Sequence, residues 1–290
     1  MGASVAIASD ALSAEIAPLG AELQRLAAAD GRELLWDGDP AWWGGRAPIL
    51  FPIVGALAGD RYRLAGKGYA LPRHGFARRS TFALVAQASD HARFRLEDDA
   101  ETRAAYPFAF ALELDYRLTG ATLAITATII NRDAIALPAS IGFHPAFRWP
   151  LGDAARQDHK LDFDQAEPHA VRRLDAGGLQ LPMPEATPVE GTRLALTDDL
   201  FVRDVLILER LESCSLVYGA AGGPSLEIAY PDAAWLGIWS KPGAPFICIE
   251  PWQGVADPEG FDRDFRDKPG VIEIAPGQSY AFGMSVTLRI

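Results

Sequence analysis

The chain has 290 residues, of which 49% are hydrophobic and 22% are charged, and both values are typical of globular proteins. It has 38 acidic and 27 basic residues, which gives a formal net charge of −11. Because no basic block occurs, we expect no nucleic-acid partner. No stretch reaches the roughly 18 uncharged apolar residues of a membrane helix, and the N-terminus does not resemble a signal peptide, so no membrane association is expected.

The cysteines, Cys214 and Cys248, are too few for a disulfide framework. Both lie in apolar runs, which favours buried free thiols, although a single bridge between them stays open. Free thiols are typical of a reducing compartment, so we expect a cytoplasmic protein.

Short runs in which apolar and polar residues alternate predict β-strands along most of the chain. The clearest case is residues 108–118 and 122–131, which flank Thr119-Gly120 and predict a β-hairpin with Leu123, Ile125, Ala127 and Ile129 on one face. The other predicted strands lie within residues 4–9, 12–18, 80–89, 92–98, 215–219, 225–230, 236–240, 246–250, 271–275 and 280–290.

Helical periodicity is rare. Residues 99–108 predict one short helical turn, and residues 201–211 fit a helix or a strand equally. Residues 151–197 are rich in Gly, Pro and polar residues and are predicted to be excursions from the sheet. Together these patterns predict one domain over residues 1–290, with an all-β antiparallel sandwich or barrel.

Sequence motifs exclude several kinds of site. The five histidines show no i, i+4 pair, and no Cys-x-x-Cys, phosphate-binding Gly-rich loop or Gly-x-Ser-x-Gly elbow occurs. A metal site assembled from distant residues stays open, but no motif supports one.

Three regions combine titratable residues with aromatic residues, Gly and Pro at the ends of predicted strands. They are residues 42–57 with 71–79, residues 140–151, and residues 246–265. His144 fits a core histidine bonded to a backbone carbonyl, but Gly142 and Pro145 indicate a strand end and a bend there. Alternation places Cys248 and Glu250 on one face of a strand that is apolar on both faces. Glu250 therefore fits a partly buried site as well as an exposed strand end.

These regions resemble the aldose 1-epimerase (galactose mutarotase-like) family, and more narrowly its bacterial branch of LacX-like and hexose-6-phosphate epimerase-like proteins. The resemblance is carried in the family's order by GAELQRL (20–26), LLWDGDPAWW (34–43), RAPILFPIVGAL (46–57), LPRHGFARRSTF (71–82), YPFAFALELDYRL (106–118), LPASIGFHPAFRWPL (137–151), LFVRDVLIL (200–208), CIEPWQGVADP (248–258) and IAPGQSY (274–280).

The resemblance implies a large twisted antiparallel β-supersandwich with few short helices. It also implies an isomerase that interconverts the α and β anomers of an aldose, with no cofactor and no metal. Glu250 matches the general base and His144 the acid that protonates the ring oxygen O5. Sugar contacts are implied for His74, Arg46 and Asp204, and Trp252 or Trp42 could stack on the sugar.

The resemblance leaves the sugar open. Galactose mutarotases proper carry an Asn-Arg string and a Gly-x-His-x-Tyr-Phe-Asn-Leu string where this chain has FPIVGAL and GFHPAFRWPL. Basic residues near the three regions could hold a phosphate or pair with carboxylates, so free aldoses and hexose 6-phosphates both fit; they are Arg46, Arg73, Arg78, Arg148 and Lys241. A sugar-binding module without turnover is the alternative from another class. The oligomeric state is also left open.

Overall fold

A computed structural model describes residues 3–290, and antiparallel β-strands dominate this part of the chain. The strands, in chain order, are β1 (Val5–Ala8), β2 (Leu12–Ile16), β3 (Leu23–Ala28), β4 (Ile49–Leu50), β5 (Arg61–Leu64), β6 (Lys67–Ala70), β7 (Ala83–Gln87), β8 (His91–Glu97), β9 (Phe110–Thr119), β10 (Thr122–Asn131), β11 (Leu137–Ala139), β12 (Ile141–Phe143), β13 (Ala146–Arg148), β14 (His159–Phe163), β15 (Val171–Arg172), β16 (Arg193–Ala195), β17 (Leu206–Glu209), β18 (Ser215–Ala220), β19 (Ser225–Ala229), β20 (Trp235–Trp239), β21 (Phe246–Gln253), β22 (Ile272–Ile274) and β23 (Ser279–Arg289).

Helices are few and short. Helix α1 spans Ala100–Ala105, where residues 99–108 predicted a helical turn. It begins with a capping box, in which the Asp99 side chain accepts from the Thr102 backbone N–H and the Thr102 hydroxyl accepts from the Asp99 N–H. Short 3₁₀-helices occupy Ala58–Asp60, Ala77–Arg79, Arg156–Asp158, Asp198–Phe201 and Phe265–Asp267. No helix within residues 3–290 has the length and apolar character needed to cross a membrane.

Two large sheets form the sandwich. One has nine strands in the order β16-β14-β18-β19-β23-β10-β9-β8-β7. The other has the order β15-β17-β20-β21-β12-β4, and β13 also pairs with β21. Smaller sheets are formed by β1-β2-β3, β5-β6 and β11-β22. This arrangement confirms the all-β antiparallel supersandwich with few short helices.

The main apolar core lies between the inner faces of the two large sheets. Phe143 of β12 stacks on Phe282 of β23 with ring centroids 5.4 Å apart, which joins one sheet to the other. On β21, Ile247 and Ile249 belong to this core, whereas Phe246 and Cys248 belong to a separate cluster on the opposite face. The seven-stranded sheet is therefore buried on both faces, and its outer face carries the residues of the cleft described below.

The predicted hairpin is confirmed, with Thr119 opposite Thr122 and Leu112 opposite Ile129. The predicted face of β10 is buried throughout. Gly120 in the turn has φ +53°, a left-handed conformation that glycine adopts without strain.

Several expectations need correction. Residues 151–197 are only partly excursions, because β14 and β16 extend the nine-stranded sheet and β15 ends the seven-stranded one. Residues 201–211 form β17 preceded by 3₁₀ structure, so the strand interpretation applies to their second half. Cys214 is exposed because it lies in a turn where its thiol faces Asp164, while Cys248 is buried. Both are free thiols.

Candidate active site

A cleft of about 270 Å³ opens on the outer face of the seven-stranded sheet. Four of the predicted site residues line it: His74, His144, Asp204 and Glu250. They come from four separate stretches of the sequence: Glu250 lies on β21, and the other three lie in turns and links between elements.

Glu250 reaches the cleft because of strand alternation along β21. Ile247 and Ile249 point into the main core, so the side chains of Cys248 and Glu250 lie on the outer face. Glu250 is opposite Gly237 of β20 and is only 1% exposed. The carboxylate is thus held by the centre of a sheet, where the backbone is rigid, rather than by a loop.

His144 lies in the short link between β12 and β13, both of which pair with β21. Its backbone N–H donates to the Pro48 carbonyl, which fixes the bend that Gly142 and Pro145 indicated. The imidazole Nε2 lies 3.3 Å from Oε2 of Glu250. An acid–base pair predicted from segments more than a hundred residues apart is therefore in contact at the floor of the cleft.

The surroundings of Glu250 favour its neutral form. Burial raises the pKa of this carboxyl well above its usual range, and the negative charge of Asp204 raises it further. The nearby Trp252 indole and the Arg78 guanidinium act in the opposite direction. Within residues 3–290, the Trp252 Nε1–H makes no hydrogen bond of regular geometry, and Glu250 Oε2 has no hydrogen-bond partner.

The surroundings of His144 also favour a neutral side chain. Burial lowers the pKa of His144 to about 3, and the positive charge of Arg78 contributes in the same direction. Its ring stacks on Trp43 with centroids 4.8 Å apart and meets the edge of Trp239 at 5.9 Å. These aromatic contacts fix the plane of the imidazole, so its Nε2 keeps a defined direction toward Glu250.

His74 is the second histidine of the cleft, with its ring centroid 5.8 Å from that of His144. Its Nδ1 accepts a hydrogen bond from the Gly55 backbone N–H at 3.2 Å, so the neutral ring carries its proton on Nε2 and can donate there. Burial lowers the pKa of His74 well below its usual range, and the neighbouring His144 and arginines lower it further.

Two of the six non-glycine residues with positive φ within residues 3–290 line the cleft. His74 has φ +67° and Asp204 has φ +64°, values that side chains with a Cβ rarely adopt. The Asp204 carbonyl accepts from the buried Arg173 guanidinium at 2.9 Å, which holds this turn in place. Strained residues persist where the surrounding structure fixes them, and such positions are often functional.

The cationic side of the cleft is formed by Arg73 and Arg78. Among residues 3–290, neither makes an ion pair with a carboxylate; Arg73 donates only to the Gly177 carbonyl, at 3.0 Å. The other basic residues singled out from the sequence have partners elsewhere: Arg148 pairs with Asp37, and Lys241 donates to the Trp42 carbonyl. Of the five basic residues singled out from the sequence, Arg73 and Arg78 therefore remain available to a ligand in the cleft.

Aromatic walls complete the cleft. Trp43 and Trp239 meet edge to face with centroids 5.5 Å apart, and Trp252 also lines the cleft. A Cβ at Gly237 would lie 2.5 Å from the Trp252 ring, so glycine is required beneath this side chain. Such surfaces suit the C–H faces of a small polar ring, because they combine apolar area with fixed geometry.

Known proteins resemble this chain along nearly its whole length. The sequence model of the family described as aldose 1-epimerase matches residues 4–287. The chain belongs to the aldose 1-epimerase family. A curated relative, the chromosomal Protein LacX of Lactococcus lactis subsp. lactis, is 30% identical over 284 residues, which cover 94% of this chain and 95% of the relative.

Two solved structures resemble 99% of this chain. One is a galactose mutarotase related enzyme from Lactobacillus acidophilus, with 30% identity, a TM-score of 0.91, and coverage of 99% of this chain and 97% of that one. The other is a galactose mutarotase-like protein from Lactobacillus casei, with 33% identity, a TM-score of 0.91, and coverage of 99% and 100%.

Arg46 departs from what the resemblance to aldose 1-epimerases implied. It does not line the cleft: its guanidinium donates to the Gln24 carbonyl at 2.6 Å, and its backbone N–H donates to Glu22. The arginines that line the cleft are Arg73 and Arg78, and the Arg78 charge lowers the pKa of Glu250, of His144 and of His74. A sugar contact by Arg46 stays a prediction that its position does not favour.

Of the two tryptophans that the resemblance offered for stacking on the sugar, Trp252 lines the cleft and Trp42 does not. Trp43 lines the cleft, whereas Trp42 is 36% exposed and lies outside it. Consecutive residues of an irregular loop point in different directions, and no periodic pattern in the loop indicates which one faces inward.

Proposed function

We propose that this chain is an aldose 1-epimerase (mutarotase) that interconverts the α and β anomers of an aldohexose by acid–base ring opening and reclosure. Glu250 acts as the base and His144 as the acid. The proposal depends on one observation: the two side chains are in contact, 3.3 Å apart, at the floor of an aromatic cleft.

The reaction needs two proton transfers. A cyclic aldose is a hemiacetal, so opening its ring removes the proton of the C1 hydroxyl and adds one to O5. Both oxygens are bonded to C1, and two groups as close as Glu250 and His144 can reach them together. Rotation about C1–C2 followed by reclosure gives the other anomer. A positioned acid or base typically contributes about 10² to 10⁴-fold each.

The pair needs only one proton between its members. Glu250 in its anionic form with protonated His144 opens the ring, and this leaves neutral Glu250 with neutral His144. Those neutral forms are the ones that burial favours in both residues. The same neutral forms suit ring closure of the acyclic aldehyde, because neutral Glu250 donates its proton to O1 and neutral His144 accepts the proton of the O5 hydroxyl. The cycle therefore returns its proton without exchange with solvent.

The remaining cleft residues fit sugar hydroxyls. His74 offers an Nε2–H donor, Asp204 offers a carboxylate, and Arg78 offers a guanidinium. We propose that these three orient the sugar while Trp43 or Trp252 covers its C–H face. Galactose is the first substrate to examine, because the two similar structures are a galactose mutarotase related enzyme and a galactose mutarotase-like protein.

A hexose 6-phosphate is the second candidate substrate. It is favoured by Arg73 and Arg78, which line the cleft without a carboxylate partner among the residues described. Two guanidinium groups could hold a phosphate through bidentate hydrogen bonds. A sugar-binding module without turnover uses the same cleft but has no need of an acid and a base together.

We further propose that residues 1–290 act as one domain and that the protein works in the cytoplasm on a small sugar.

Anomer exchange, measured by NMR magnetisation transfer, tests the proposal. We expect the protein to accelerate exchange of galactose, glucose or glucose 6-phosphate. If the substrate is phosphorylated, Arg73→Gln should raise KM for glucose 6-phosphate by roughly tenfold or more, as expected for loss of a charged contact. The exposed Arg79, which does not line the cleft, supplies the control Arg79→Gln. Sugar binding without accelerated exchange would instead indicate a binding module.

A further inference from the structure

Three side chains at the floor of the cleft form a cluster of metal-ligating type. Cys248 and Glu250 share the outer face of β21, and His144 lies beside them in the β12–β13 link. Their ligand atoms all lie within 4.8 Å of one another, and all three residues are buried. The mechanism proposed above uses His144 and Glu250 but gives Cys248 no part.

This donor set suits zinc. Zn²⁺ is bound by thiolate sulfur, imidazole nitrogen and carboxylate oxygen in a tetrahedron, and sites that exchange ligands have three protein donors and one open position. With metal–ligand distances of roughly 2.0–2.3 Å, neighbouring donors of a tetrahedron lie roughly 3.3–3.7 Å apart. His144 Nε2 and Glu250 Oε2, 3.3 Å apart, already have that separation. The Cys248 sulfur lies in the same group, in which all three ligand atoms are within 4.8 Å of one another.

A second, independent observation points to a ligand at this place. Glu250 Oε2 is fully buried and has no hydrogen-bond partner within residues 3–290. Glu250 as a whole is 1% exposed. A buried carboxylate oxygen without a partner is costly, and such atoms usually have one. This oxygen lies 3.3 Å from His144 Nε2, and the ligand atoms of His144, Cys248 and Glu250 all lie within 4.8 Å of one another, so a cation among the three residues would satisfy it.

The fourth position would face the cleft. His144 and Glu250 line the cleft, so an ion bound to them is reachable from solvent and can take a water molecule as its remaining ligand. The neighbouring charges act in opposite directions: Asp204 favours a cation, and Arg78 disfavours it.

We propose that His144, Cys248 and Glu250 form a binding site for Zn²⁺ and that zinc and sugar exclude each other. Zinc would occupy the imidazole nitrogen and the carboxylate oxygen to which the epimerase proposal assigns proton transfer. The metal is therefore an inhibitor of that reaction rather than a participant in it. The binding site itself stands on the cluster alone, whereas the exclusion of sugar rests on the proposed function.

Titration with Co²⁺ tests the site directly, because a cobalt–thiolate bond has a charge-transfer absorption that oxygen and nitrogen ligands do not give. We expect the band to appear at one cobalt per chain and to disappear when Zn²⁺ is added. Cys248→Ser should abolish it. Cys214→Ser is the matched control, because Cys214 is exposed and is not part of the cluster. This variant should keep the cobalt band.

A second variant keeps the test decisive if Cys248→Ser does not fold. Glu250→Gln retains the thiol but loses the carboxylate, and we expect it to weaken zinc binding in calorimetry by at least roughly tenfold, since even outer partners of a metal site contribute that much. Absence of the cobalt band in the wild type, or the same band in Cys248→Ser, would overturn the proposal. Cobalt binding without anomer exchange would remove the epimerase proposal and leave the metal site. Anomer exchange that zinc does not inhibit, with the band present, would overturn the exclusion.

Discussion

A buried ion pair beside the cleft gives the sharpest expectation for stability. Lys268 Nζ lies 2.8 Å from Asp257 Oδ1, and the two side chains are 0% and 4% exposed. The other Asp257 oxygen accepts from the Ala58 backbone N–H at 2.9 Å. Asp257 follows Ala256, which lines the cleft, so the pair anchors part of the cleft wall.

We expect Lys268→Met to lower the free energy of unfolding by about 3–5 kcal/mol, because it leaves the Asp257 carboxylate buried with no countercharge. Asp257→Asn should lower the free energy of unfolding by a similar amount, because it leaves the Lys268 ammonium buried with no countercharge. In the double variant neither charge remains, and the amide carbonyl oxygen that Asp257→Asn introduces can still accept from the Ala58 N–H. The double variant should therefore be clearly more stable than the sum of the two single changes implies.

Urea unfolding of the three variants measures this coupling. The control is Arg289→Met, which removes an ion pair with Glu227 whose side chains are 53% and 33% exposed. Pairs of that kind contribute about 0–1 kcal/mol. A loss of less than about 1 kcal/mol in Lys268→Met, comparable to the control, would refute the reasoning that the buried pair matters because it is desolvated.

Two further expectations concern the cleft. The Asp204 charge raises the pKa of Glu250, and the Arg78 charge lowers it. In pH–rate profiles we therefore expect Asp204→Asn to shift the acidic limb to lower pH and Arg78→Gln to shift it to higher pH. Shifts of the acidic limb in the same direction for both variants would contradict the roles assigned to the two charges. Gly142→Ala places a Cβ 2.7 Å from Trp252 Cδ1. We expect the free energy of unfolding, measured in urea, to fall by about 1–3 kcal/mol and sugar binding to weaken. An unchanged unfolding free energy and sugar affinity would show that the Trp252 side chain can move aside.

Much of the fold follows from local patterns. The hairpin of β9 and β10 could be predicted because strict alternation over two long runs fixes both the strands and their buried faces. Strands β14 and β16 could not, because they are short and separated by segments rich in Gly and Pro. Their pairing is non-local: β14 lies between β16 and β18.

The candidate site was predictable where strand geometry governs it. Alternation along 246–250 placed Cys248 and Glu250 on one face, and the bend at Gly142 and Pro145 placed His144 at a strand end. Which loop side chains enter the cleft was harder to predict. Arg46 and Arg78 both lie in segments that carry the family resemblance, but only the packing of the chain determines which guanidinium enters the cleft. That residues 1–290 form one domain stays a prediction.

The measurement that tests the central claim most directly is anomer exchange by NMR magnetisation transfer for the wild type and for Glu250→Gln, with the best sugar of the panel at saturation. Glu259→Gln serves as the control, because Glu259 is exposed and does not line the cleft. We expect wild type and control to accelerate exchange equally, and Glu250→Gln to be slower by about 10² to 10⁴-fold while still binding the sugar. Full acceleration by Glu250→Gln would contradict the assignment of Glu250 as the base.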